Sequence, residues 1–187
     1  MNRGSGGPPT VLIVEDEQHL ADLYTDYLAA AEYDVVTAYG GEEALERLDR
    51  EPDIVLLDRR MPVVSGNEVL AEIEDRNFPC RIAMVTAVNP DFEIIDMGVD
   101  DYIVKPVTRG ELIEVVERLE MISDYNEQLR QLTTKKLKRN VLQLEKTESE
   151  LRESDQYHRL QSEISDIETN VDSLANELDV EEEDLRL

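Results

Sequence analysis

The sequence predicts an α/β fold, a doubly wound parallel sheet of five strands, followed by an α-helical hairpin or coiled-coil tail. Three observations predict it. Short, nearly continuous apolar runs recur between Val11 and Leu119, amphipathic stretches separate them, and neither Gly nor Pro occurs after Gly110. Apolar runs of this kind suit strands covered on both faces. Their alternation with helical patterns implies a parallel sheet with helices on either side.

Each element has its own signal. Val11–Val14 (VLIV) reads as the first strand and Tyr33–Ala38 as a weaker second. Ile54–Leu57 (IVLL), Ile82–Val85 (IAMV) and Tyr102–Val104 (YIV) complete the five. Between the first two, Leu20, Leu23, Tyr24, Tyr27 and Leu28 follow helical spacing, as Leu112, Val115, Val116 and Leu119 do after the fifth. Gly40-Gly41 marks a turn, Asn89 before Pro90 a helix start, and Thr108 with Glu111 a capping box. The count is five helices among five strands. A doubly wound sheet places its site at the carboxyl ends of its strands.

The tail keeps two apolar seams. Leu160, Ile164, Ile167, Val171, Leu174 and Leu178 are spaced four and three in turn. Leu137, Val141, Leu144 and Leu151 form an upstream seam, with Glu148 at the skipped position. The two are out of register across Glu153–Gln156, and a hairpin is favoured over one stuttered coiled coil. The organisation expected is a disordered tail over 1–9, a sheet domain over 10–120, a helical module over 121–180 and a frayed acidic end over 181–187.

Composition bounds the function. With 44 acidic against 19 basic residues the net charge is −25, and only 5 of the basic residues are Lys. Such a chain suits concentrated salt, where screening shortens repulsion. A phosphate backbone needs a Lys/Arg footprint, so nucleic-acid binding is disfavoured. The run Lys135, Lys136, Lys138, Arg139 is read as a solvated helix face. No apolar run spans a bilayer and no signal peptide opens the chain, which points to a cytoplasmic protein with no membrane role. Cys80 is read as a buried thiol, and His19 and His158 as surface residues without ligand partners.

The chemistry lies at the strand ends. Glu15-Asp16-Glu17 follows the first strand, Asp58 the third, Thr86 the fourth and Lys105-Pro106 the fifth. In a parallel sheet these project from one edge. Converging carboxylates call for a hard cation, and Mg2+ takes oxygen ligands while keeping exchangeable waters. Lys105 and Thr86 suit phosphate oxygens. The set favours in-line phosphoryl transfer to a carboxylate, with Asp58 the natural nucleophile.

At these residues the sequence resembles the receiver domain of two-component response regulators. The resemblance rests on Glu15-Asp16, on Asp58-Arg59-Arg60-Met61-Pro62 followed by Gly66, on Thr86-Ala87, and on Asp100-Asp101-Tyr102 leading to Lys105-Pro106. It implies the flavodoxin-like strand order 2-1-3-4-5 and phosphorylation of Asp58 by a histidine kinase. It further implies Mg2+ held by Asp16, Asp58 and the backbone carbonyl of Arg60, with Glu15 acting through water. Thr86 and Tyr102 would be switch residues that reshape the face of the fourth helix, fifth strand and fifth helix. Arg60 and Val88, each two residues beyond a site residue, stand where the family tunes phosphoryl lifetime. A protein of this kind is no separate enzyme, because it catalyses only its own phosphorylation and dephosphorylation. The tail is similar to the haloarchaeal HalX domain, an output module acting through a protein partner or a homodimer.

Other functions fit less well. An aspartyl-phosphate hydrolase needs a second acid where Arg60 stands. A DNA-binding transcriptional regulator needs a recognition helix with a basic face, which the tail lacks. A structural coiled coil leaves the strand-end carboxylates without a role.

Overall fold

The computed structural model describes residues 7–87 and 92–184. Its strands are β1 (Thr10–Val14), β2 (Asp34–Ala38), β3 (Ile54–Leu57), β4 (Arg81–Thr86) and β5 (Asp101–Val104). All pair in parallel, in the order β2-β1-β3-β4-β5. The helices are α1 (Gln18–Ala29), α2 (Gly41–Arg47), α3 (Gly66–Arg76), α4 (Arg109–Glu145), α5 (Glu148–Arg152) and α6 (Asp155–Asp184). The chain divides into two compact units, Met1–Glu120 and Met121–Leu187. No helix among the described residues is long and apolar enough to cross a membrane.

In the first unit the central strands bury every side chain from Val11 to Val14 and from Ile54 to Leu57. Alternation sends Leu12, Val14, Val55 and Leu57 to one face, where they pack with Ala44, Leu48, Val69, Leu70 and Ile73 of the α2 and α3 segments. Val11, Ile13, Ile54 and Leu56 point to the opposite face. That face belongs to α1, through Ala21, Tyr24 and Leu28, and to the first turns of α4, through Leu112, Val115, Val116 and Leu119. Both faces are thus closed, which is why the strands read as unbroken apolar runs.

One expected element differs. The helix signalled by Asn89-Pro90 should precede β5, yet the described residues there, Phe92–Asp96, form a 3-10 turn. Asn89, Pro90 and Val88 lie outside the described residues, as do 1–6 of the expected tail and 185–187 of the acidic end.

The second unit is a helical hairpin. Leu132 of α4 packs with Ile164, Ile167 and Val171 of α6, flanked by Tyr125, Leu129 and Leu160. Contacts run antiparallel: Lys135 pairs with Glu163 and Gln143 donates to the Tyr157 hydroxyl. The α6 seam is the expected one, but its partner is not. Leu137, Val141 and Leu144 are 61%, 58% and 86% exposed, and Tyr125, Leu129 and Leu132 take their place. The reversal also begins earlier than Glu153, because α4 stops at Glu145 and Thr147 caps α5 through a capping box with Glu150. That Thr-x-x-Glu spacing was visible in the sequence. With the turn starting there, the residues of α4 that face α6 are set by the antiparallel register and not by apolar spacing alone.

Candidate functional site

The site forms where the strand ladder runs one residue past the ends of the strands. The Glu15 N–H donates to Ala38 O at 3.1 Å, Asp58 N–H to Val14 O at 2.9 Å, and Lys105 N–H to Thr86 O at 2.9 Å. These bonds fix the backbones of Glu15, Asp58 and Lys105 at one edge of the sheet. Glu15 is 3% exposed and Asp58 7% exposed, whereas Asp16 reaches solvent.

Carboxylate oxygens of Glu15, Asp16 and Asp58 all lie within 4.8 Å of one another. The Lys105 ammonium reaches into this cluster, with Nζ 2.5 Å from Glu15 Oε2 and 2.6 Å from Asp58 Oδ2. The other Asp58 oxygen accepts from the Arg60 N–H at 3.1 Å, and Glu15 Oε1 from the Glu17 N–H at 3.3 Å. Burial raises the Glu15 carboxyl above its ordinary range, against the lowering pull of Lys105. For Lys105 burial favours the neutral amine, yet the hydrogen bonds to Asp58 and Glu15 outweigh it and hold the ammonium above its ordinary value.

The donor set fits a divalent ion. Three carboxylates against one ammonium leave two uncompensated negative charges when all are ionised, and the available atoms are hard oxygens. Asp16, Asp58 and the Arg60 carbonyl could hold Mg2+, with Glu15 behind them.

The loop after β3 is shaped for this. The Ser65 side chain and Glu68 form a capping box that starts α3, and the Gly66 N–H donates to Arg59 O at 3.1 Å. A Cβ on Gly66 would lie 2.2 Å from Asp58 O and 2.9 Å from Arg59 Cα, so only glycine lets α3 approach the site. Between them Val63 takes φ 68°, closed by a Val64 N–H to Pro62 O bond of 2.8 Å. A β-branched residue in that region is strained, which ties a distorted loop to the chemistry beside it.

Thr86 is fully buried at the end of β4, next to the strand carrying Asp58. Tyr102 is half-buried on β5 and packs on the core cluster of β1, β3 and β4. Arg60 is exposed beside Asp58. His19 and His158 are both exposed. Two residues escaped the sequence reading. Tyr24 looks like a plain helix-face aromatic, yet burial, with Glu15 and Asp58 adding their charges, pushes its phenol up to about 12. Arg118 on α4 grips Asp101 at 2.7 Å, tying the base of that helix to β5. Only the helical phase of Arg118 hinted at this.

Comparison with known proteins follows the same division. Residues 11–117 match the family described as response regulator receiver domain, and residues 121–187 match the HalX domain. A Haloferax volcanii protein named as a candidate transcriptional regulator is 50% identical over 121 residues, covering 65% of this chain but 21% of that protein. The signal receiver domain of a candidate LuxO repressor from Vibrio parahaemolyticus superposes with a TM-score of 0.59 at 27% identity, covering 64% of this chain and 95% of its own. The receiver domain of the sensor histidine kinase PA1611 from Pseudomonas aeruginosa gives a TM-score of 0.55 at 28% identity, covering 60% of this chain and 98% of its own. That structure carries a magnesium ion coordinated in its active-site cleft.

Proposed function

The chain belongs to the response regulator receiver family, with a HalX domain after its receiver, and from that premise we propose that Asp58 accepts a phosphoryl group from a sensor histidine kinase. A receiver is a phosphoacceptor signalling module and not a classical enzyme. The observation that carries the proposal is the convergence of Glu15, Asp16 and Asp58 around the Lys105 ammonium at one sheet edge.

In this reading a carboxylate oxygen of Asp58 attacks phosphorus in line. The new P–O bond forms as the P–N bond of the donor phosphohistidine breaks, and the departing imidazole nitrogen keeps the electron pair and takes a proton from water. Asp16, Asp58 and the Arg60 carbonyl would hold Mg2+, with Glu15 behind them, and the ion would supply positive charge to offset the transferring oxygens. Lys105 exchanges its Asp58 contact for a phosphoryl oxygen, and the Thr86 hydroxyl donates to another. Tyr102 then turns inward, and the population of the β5 face shifts. The signal leaves through the helical module to a protein partner or a second copy, in the cytoplasm where the kinase domain lies.

A DNA-binding output is the second reading, favoured by the description of the Haloferax relative as a candidate transcriptional regulator. The acidic module weighs against it.

Incubation with acetyl phosphate and Mg2+ tests the first reading. One phosphoryl group per chain is expected by intact mass, none without Mg2+, and none in Asp58→Asn. Equal labelling of Asp58→Asn would overturn the assignment.

A further inference from the structure

The hairpin spends only one face of α4 on α6. Tyr125, Leu129 and Leu132 point into that contact, and Lys135 and Lys136 reach across to Glu163 and Glu168 of α6. Leu137, Val141 and Leu144 recur at four and three residues on a different side of the helix, about 130° around at 3.6 residues per turn. All three are exposed, whereas Tyr125, Leu129 and Leu132 of the same helix are packed. We propose that this stripe is a self-association surface, on which a second copy of the chain docks antiparallel with its two-fold axis beside Val141.

Charge placement selects both the occupant and the direction. One flank of the stripe carries Lys138 and, a heptad later, Glu145; the opposite flank carries the uncharged Thr133 and Asn140. Among the described residues neither Lys138 nor Glu145 takes part in an ion pair, in contrast to the neighbouring Lys135, Lys136 and Lys146. Around a two-fold axis in an antiparallel pair, each flank meets its own copy running the other way. Lys138 of each chain then faces Glu145 of the other, and the two pairs form reciprocally. In a parallel pair this charged flank would meet Thr133 and Asn140, and the complementarity would be lost. The same helix is thus its own best-matched partner.

The contact is short, three apolar side chains from each copy. Interfaces below roughly 1,200 Å² are weak and transient, so association belongs at roughly 10–500 µM protein. Salt should strengthen it, because two chains of net charge −25 repel each other and screening removes that repulsion without touching apolar contact.

Sedimentation velocity of the full chain over that concentration range provides the test. A monomer–dimer equilibrium is expected, tighter in about 3 M than in about 0.2 M KCl. Val141→Glu, at an exposed position, should raise the dissociation constant at least about tenfold with unchanged helix content. At the lower salt, Lys138→Glu should weaken association several-fold, and Lys138→Glu with Glu145→Lys should restore it. A chain that stays monomeric, a dimer indifferent to Val141→Glu, or a double variant as weak as the single one would overturn the proposal. So would a monomer that binds duplex DNA and loses it on Lys138→Glu, which would make the face a nucleic-acid surface. Asp58→Asn should dimerise like the parent, so failure of the phosphoacceptor reading leaves this result standing.

Discussion

The receiver unit and the helical hairpin solve the problem of ionisable groups in opposite ways. At the sheet edge Glu15, Asp58 and Lys105 are drawn into a nearly dry pocket, where two carboxylates share one ammonium and removing Lys105 would leave both uncompensated. Along the hairpin, Lys135–Glu163 and Lys136–Glu168 flank an apolar seam and remain solvated. The first arrangement makes the two buried carboxylates and the ammonium depend on one another. The second leaves its charges in contact with solvent. Charge in this molecule therefore acts through burial, and the number of charges says little by itself.

The strongest way to sharpen that contrast is to weaken each core separately. Leu12 is fully enclosed between packed helices and strands that cannot close over a gap, so Leu12→Ala should cost about 4 kcal/mol. Ile164 lies in a two-helix seam that can collapse around a smaller side chain, and Ile164→Ala should cost about 2 kcal/mol. The single cysteine separates the two. Burial pushes the Cys80 thiol up to about 11, so alkylation at pH 8 should be slow in the parent and in Ile164→Ala. Leu12→Ala should speed it; equal rates in both variants would show that the units unfold together.

Next in size is the loop that brings α3 onto the site. Gly66→Ala places a methyl group against Asp58 O and Arg59 Cα, both backbone atoms that cannot swing aside. A cost of about 3 kcal/mol is expected, with weaker Mg2+ binding by calorimetry. Unchanged metal affinity would mean that the loop and the carboxylates are uncoupled.

How much of this was legible in the sequence differs between the units for a physical reason. In the receiver, closure of both sheet faces forces apolar strands, and a parallel sheet puts every strand end on one edge, so Glu15, Asp58, Thr86 and Lys105 could be placed together from order alone. Strand order and the Arg60 carbonyl came instead from the resemblance. Where a fourth helix was expected before β5, the described residues Phe92–Asp96 form a 3-10 turn, and the Asn89-Pro90 signal itself lies outside the described residues. In the hairpin, periodicity identifies an apolar stripe but not what covers it. Leu137, Val141 and Leu144 have the same four-and-three spacing as Tyr125, Leu129 and Leu132, yet only the latter meet α6. The Thr147 capping box, which sets where the chain reverses, decides between them.

A smaller effect follows from the direction of the Glu15 shift. Its folded-state pKa is raised, so the metal-free fold holds this proton more tightly than the unfolded chain does. The stabilisation is complete below the ordinary value of 4.5 and is lost as pH rises through the folded value, opposite to a salt-bridged carboxylate held low. In EDTA, Glu15→Gln should be at least as stable as the parent at pH 7 and should converge with it near pH 4.5. Mg2+ favours the ionised carboxylates, so its affinity for the parent should fall as pH is lowered through the same window. A parent that gains stability over Glu15→Gln as pH rises would reverse the sign of the shift.

The smallest effect expected is the one that tests the other half of the comparison. Glu163 accepts from Lys135 at 2.6 Å, and that contact holds its carboxyl below the ordinary range. Yet Glu163 is largely solvated, so water replaces most of what the ammonium supplies, and holding two long side chains in register costs entropy. In molar KCl the Debye length falls to about 3 Å, comparable with the contact itself. Glu163→Gln should therefore leave the denaturation midpoint of the hairpin unchanged in molar salt and lower it only slightly in dilute buffer. A large loss in molar salt would place this pair with the buried charges of the receiver and erase the distinction between the two units.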